Sequence, residues 1–76
     1  MNKKVSNQIN PNKLLLSKWT AVNPTNKEKH FIVTRVIRNE LDEISSCVIE
    51  AVINNRECEV SWQELRDKNK WSYGWQ

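Results

Sequence analysis

The chain has 76 residues, 38% of them hydrophobic and 28% charged, with a formal net charge of +3. At that length a single domain is expected. No apolar run approaches the roughly 18 residues of a membrane span, and the polar start through Asn12, with Lys3 and Lys4, lacks the apolar stretch of a secretory signal.

Four tryptophans, Trp19, Trp62, Trp71 and Trp75, stand out in so short a chain. Each can bury on the order of 150–250 Å², so a few rings can replace many aliphatic side chains in a small core. Cys47 and Cys58 are the only cysteines. Secreted chains of this size usually carry several bridges, so both are expected as reduced thiols and the location as cytoplasmic. The charge is uneven. Residues 1–38 hold eight Lys/Arg against the single acid Glu28, and residues 39–76 hold four against eight acids. A basic half can mark a polyanion partner. No cluster reaches the block of like charges that marks an interaction tail, so the two halves are expected to fold against each other.

Along the chain, residues 1–9 have no periodicity and are expected as a flexible tail, with residues 10–76 as one small β domain. Asn10-Pro11-Asn12 is a turn signal, and Leu14-Leu15-Leu16 is expected to pack as the chain enters the fold. Residues 18–22 read as a first strand, stopped by Asn23-Pro24-Thr25-Asn26. Lys27-Glu28-Lys29 reads as exposed loop. Residues 30–38, rich in β-branched side chains, form a second strand and residues 44–53 a third. Asn54-Asn55 reads as a two-residue hairpin turn leading to a fourth strand over residues 56–62.

That turn predicts a register: Ala51 faces Cys58, Ile49 faces Val60 and Cys47 faces Trp62. All six fall on one face, and burial of one face is what fixes register. The other face pairs Glu50 with Glu59, a like-charge contact that Arg35 or Arg38 would have to relieve. Residues 63–67 are expected to make one helical turn, and residues 71–75 a short last strand. Apolar residues on both faces of the second strand suggest a bend. The fold class expected is mostly β: a small, curved antiparallel meander of four to five strands, a Src-homology-3-like or Tudor-like barrel.

From Asn10 onward the chain resembles the small tryptophan-rich proteins of bacteria and some plastid-bearing organisms. The residues that carry this are Lys13-Leu14-Leu15-Leu16-Ser17-Lys18-Trp19-Thr20-Ala21-Val22, Lys27-Glu28-Lys29-His30-Phe31 with Val33, Glu50-Ala51-Val52, Trp62 with Leu65, and Trp71 with Gly74-Trp75. The family is one of unknown function. The resemblance therefore implies no activity, cofactor or site residue.

Chemistry has little to work with. One histidine, His30, and two cysteines without C-x-x-C spacing argue against a metal site. Cys47 and Cys58 fall on the packed face, where a thiol is inert. Gly74 is the only glycine, so no glycine-rich phosphate loop exists. No cofactor and no catalysis are expected. Binding remains, with a nucleic acid or a protein segment as the partner, and neither membrane nor metal. Arg66, Lys68 and Lys70 precede Trp71, Tyr73 and Trp75. Basic residues beside aromatic ones suit single-stranded nucleic acid, and the three rings share a face if the stretch is extended. The other reading makes these rings the closing strand of the core. Trp62 is expected in the core, while Trp19, Trp71 and Trp75 are open between core and surface. A further alternative is an assembly subunit that self-associates through exposed aromatics or strand edges.

Overall fold

The computed structural model describes residues 9–76. Most of the expected tail lies outside the described residues. Ile9, its last residue, is half-buried against the core. The elements are β1 (Lys18–Thr25), β2 (Glu28–Arg38), β3 (Ile44–Ala51), β4 (Glu57–Ser61) and β5 (Trp71–Tyr73), with single helical turns at Pro11–Lys13 and Glu64–Arg66. The five strands form one antiparallel sheet in the order β4-β3-β2-β1-β5.

Four strands thus follow one another as a meander, and the chain then crosses to the far side of β1. The sheet is not closed. β4 and β5 are its two edges, and the turn Glu64–Arg66 touches both. The expected barrel is therefore corrected to an open sheet. β5 pairs with β1 alone, and the residues between β4 and β5 close turns among themselves, from Trp62–Leu65 to Asp67–Trp71, instead of joining the two edges.

One face carries the core. Alternation places Trp19, Phe31, Val33, Ile49, Ala51 and Trp71 on it, all buried, with Leu14 and Leu65 packing from the connections. Of the three leucines at the entrance only Leu14 packs inward. Leu15 and Leu16 are exposed, and Leu16 takes a left-handed φ of 67°. Leu14 stays with the core because its carbonyl accepts the Ser17 hydroxyl at 2.6 Å, and the same hydroxyl oxygen accepts the Trp19 indole N–H at 2.8 Å.

Several expected boundaries move. β1 runs through Pro24 to Thr25, and the chain reverses at Asn26-Lys27, where φ is 55° and 64°. Pro24 is tolerated because the β1–β2 register is irregular between Thr20 and Thr25. Glu28 is not in an exposed loop; it opens β2 and is 3% exposed. The connection after β3 spans residues 52–55, with the Ala51 N–H donating to the Arg56 carbonyl at 2.8 Å. Cys58 consequently pairs with Ile49, and Val60 with Cys47, a slip of two residues from the expected register. A two-residue slip preserves the parity of side-chain directions, so the apolar face is the expected one. The like-charge pair becomes Glu50–Glu57. The cations expected to relieve it do not. Asn55 donates to Glu50, and Ser46 donates to Glu59 at 2.6 Å. Trp62 lies beyond the end of β4 and is half-buried against the core rather than within it.

Candidate binding cleft

Because β4 and β5 do not meet, the core face opens at the seam between them into a cleft of about 290 Å³. Phe31, Ile49, Val60 and Trp71 supply its apolar lining, and Asn69 and Lys70 stand on the β5 side. The Phe31 and Trp71 rings meet edge to face at 5.1 Å between centroids, a favoured arrangement for an aromatic pair.

One wall is an ion pair. The Glu28 carboxylate accepts two hydrogen bonds from the Arg56 guanidinium, from Nε at 2.7 Å and from Nη2 at 2.5 Å, and a third from the Asn54 side chain at 2.9 Å. The two parallel donors of a guanidinium match a carboxylate in plane, which is why arginine holds this position. These bonds hold the Glu28 carboxyl down from 4.5 to about 2, with the Arg56 hydrogen bond the largest cause and Asn54 next. The arrangement ties the start of β2 to the connection between β3 and β4. Sequence reasoning missed it, although a signal existed: Glu28 is the only acid among eight cations in the first 38 residues.

The six residues expected to form a site are dispersed. Arg66 sits on the helical turn, its guanidinium 5.6 Å from the centre of the Trp62 ring. Lys68 is exposed on the following turn. Lys70 borders the cleft, and its carbonyl accepts the Val22 N–H at 2.9 Å. Trp71 is 8% exposed and belongs to the core. Tyr73, two residues on and exposed, lies edge-on to Trp19 at 5.0 Å and lines a separate hollow with Lys13 and Ile9. Trp75 lies on the opposite face of the sheet. Its ring stands beneath the Lys18 ammonium at 4.9 Å and 5.9 Å from the His30 ring, and both residues alternate with core positions on their strands. The extended run needed for a common face ends at Gly74, whose φ of +84° turns the chain across β1 toward β2. There the Trp75 indole N–H donates to the Phe31 carbonyl at 2.9 Å.

Cys47 and Cys58 are free thiols. Burial pushes the Cys47 thiol up to about 11, with the neighbouring Cys58 adding to it. The His30 Nε2 lies 2.8 Å from the Gln76 carbonyl oxygen. Among the described residues no three His, Cys, Asp or Glu side chains are gathered to hold a metal ion, and no helix is long and apolar enough to cross a membrane.

A comparison with known protein families matches residues 17–76, which takes in every strand, the cleft and its ion pair. No curated protein and no solved structure matches. The chain therefore belongs to the family described as Tryptophan-rich protein (DUF2389), whose function is unknown.

Proposed function

We propose that this protein is a non-catalytic, cytoplasmic binding module that takes an extended protein segment into the cleft at the β4–β5 seam. The observation that carries the reading is the cleft itself: about 290 Å³, floored by Phe31, Ile49, Val60 and Trp71 beside the Glu28–Arg56 pair. Apolar floors with a few oriented polar groups are the usual character of ligand sites. On this view the domain has the strand plan of a Src-homology-3-like or Tudor-like barrel left open at one seam, and the opening is where a ligand enters. A buried Cys47 thiol raised to about 11 supports a binding role over a nucleophilic one. Two thiols left unbridged support the cytoplasmic setting.

A second reading, single-stranded nucleic acid, is favoured by one observation on the other face. Trp75 is 45% exposed and already oriented by its bond to Phe31, with Lys18 over its ring. Base stacking on such a ring is worth about 1–3 kcal/mol.

One experiment separates the two. Peptide pools and short single-stranded oligonucleotides are titrated against the protein and two variants, read by tryptophan fluorescence and amide chemical shifts. Asn69→Trp fills the cleft, and Trp75→Ala removes the opposite platform. Peptide binding that Asn69→Trp weakens and Trp75→Ala leaves intact is expected. Oligonucleotide binding lost in Trp75→Ala, with no peptide bound, would replace the first reading by the second.

A further inference from the structure

β4 is an edge strand, and the register states which of its backbone groups point outward. In an antiparallel ladder each residue directs both its N–H and its C=O to the same side, and successive residues alternate. The Arg56 carbonyl is bonded to the Ala51 N–H on β3. Cys58 and Val60, opposite Ile49 and Cys47, therefore spend their backbone groups on β3. Glu57, Glu59 and Ser61 present theirs outward along the edge of the sheet.

The side chains of β4 divide the same way. Cys58 and Val60 point into the cleft. Glu57 and Glu59 lie on the opposite face, both exposed, with Glu50 beside Glu57 across the strand pair. Over residues 44–61 the only cation is Arg56, and it is already held by Glu28. The edge is therefore acidic on one face and continuous with an apolar cleft on the other.

We infer that the segment taken into the cleft adds to the sheet as a strand along β4, and that it alternates apolar with basic residues. The inference rests on the cleft reading above and specifies its mode. An added strand receives backbone hydrogen bonds at Glu57, Glu59 and Ser61, as in strand addition generally. Side chains of one parity then descend toward Phe31 and Trp71, and those of the other parity lie beside Glu57 and Glu59, where Lys or Arg is favoured. β4 spans about 17 Å at roughly 3.3 Å per residue, room for about five partner residues. The same carboxylates oppose the alternatives. Pairing β4 with β4 of a second copy would set Glu57 and Glu59 against themselves, and a nucleic-acid backbone would meet like charge.

The test uses blocked heptapeptides alternating Val with Lys and Val with Glu, and follows binding and amide exchange by NMR. The Val–Lys peptide is expected to bind and to slow exchange at the Glu59 and Ser61 amides, while the Val–Glu peptide does not bind. In the Glu57→Lys/Glu59→Lys double variant the preference should reverse, by roughly tenfold or more for two lost ion contacts. Glu59→Pro deletes an outward N–H without touching the β3 ladder, so it should weaken the Val–Lys peptide while the fold persists; if that variant does not fold, the charge reversal decides alone. Strand addition is overturned if the Val–Lys peptide binds with the Glu59 amide unprotected and the preference unchanged in the double variant. That result leaves the cleft reading standing. It is overturned equally if pool peptides bind through the Asn69-sensitive cleft while the Val–Lys peptide does not. If nothing binds the cleft, both readings fail together.

Discussion

Glu28 shows how one residue can join distant parts of the chain. It stands between two lysines at the start of β2, and by pattern alone it reads as solvated. In the fold it is buried, and 28 residues separate it from Arg56, which satisfies it. Nothing local foretells that distance, although a solitary acid in a basic half is a reason to look for a partner. Its lowered carboxyl has a stability consequence. Between about 2 and the ordinary 4.5 the folded state binds fewer protons than the unfolded state, so stability rises with pH across that window. The contribution is fully present above 4.5 and is lost as the pH falls toward 2. Glu28→Gln should lower the thermal midpoint at pH 7 and flatten its decline between pH 4.5 and pH 2. An unchanged acid limb in the variant would mean that other carboxylates govern it. Gly74 works in the opposite direction, separating near neighbours. One positive φ sends Trp71 into the core and Trp75 to the other face, which the alternation of the residues could not disclose.

The hairpins were legible as elements and less so in their turns. β2, β3 and β4 lie where β-branched alternation puts them, within a few residues. The turns differ because several backbones satisfy the same asparagine-rich sequence. At the first hairpin Asn23-Pro24 looks like the stop, yet the reversal falls on Asn26-Lys27, both left-handed. That pair matches the tight turn whose twist suits flanking strands, and glycine is the preferred second residue there. Lys27→Gly should therefore stabilise the domain by about 0.5–1 kcal/mol, seen as a higher urea midpoint with an unchanged slope. A lower midpoint would show that the Lys27 side chain contributes more than its backbone strain costs. At the third hairpin the chain uses residues 52–55 where two would suffice, with Asn55 at φ 62°. The strand faces survived that error only because the slip was even.

At the scale of the molecule the strand order puts β2 in the middle, between β3 and β1, and leaves β4 and β5 as edges. β5 has three residues, and the backbone bonds of Lys70 and Gly74 to β1 bracket them. Native-state hydrogen exchange should show β5 and the turn Glu64–Arg66 opening at lower free energy than β2 and β3, since edge elements with few buried contacts open first. Equal protection throughout would mean that the sheet opens as one unit, with Trp71 and Leu65 holding β5 as firmly as the centre. By itself the amino-acid sequence determined the mostly-β character, the second, third and fourth strands to within a few residues, one apolar face and the family. These follow from alternation and side-chain type, which act over a few residues. Only the tertiary structure decided that the sheet stays open, that Glu28 and Arg56 meet at the seam, and that the aromatic run near the end divides between two faces. Each of those depends on register, on a single left-handed residue or on a contact between segments far apart in the chain, and local pattern carries no record of them.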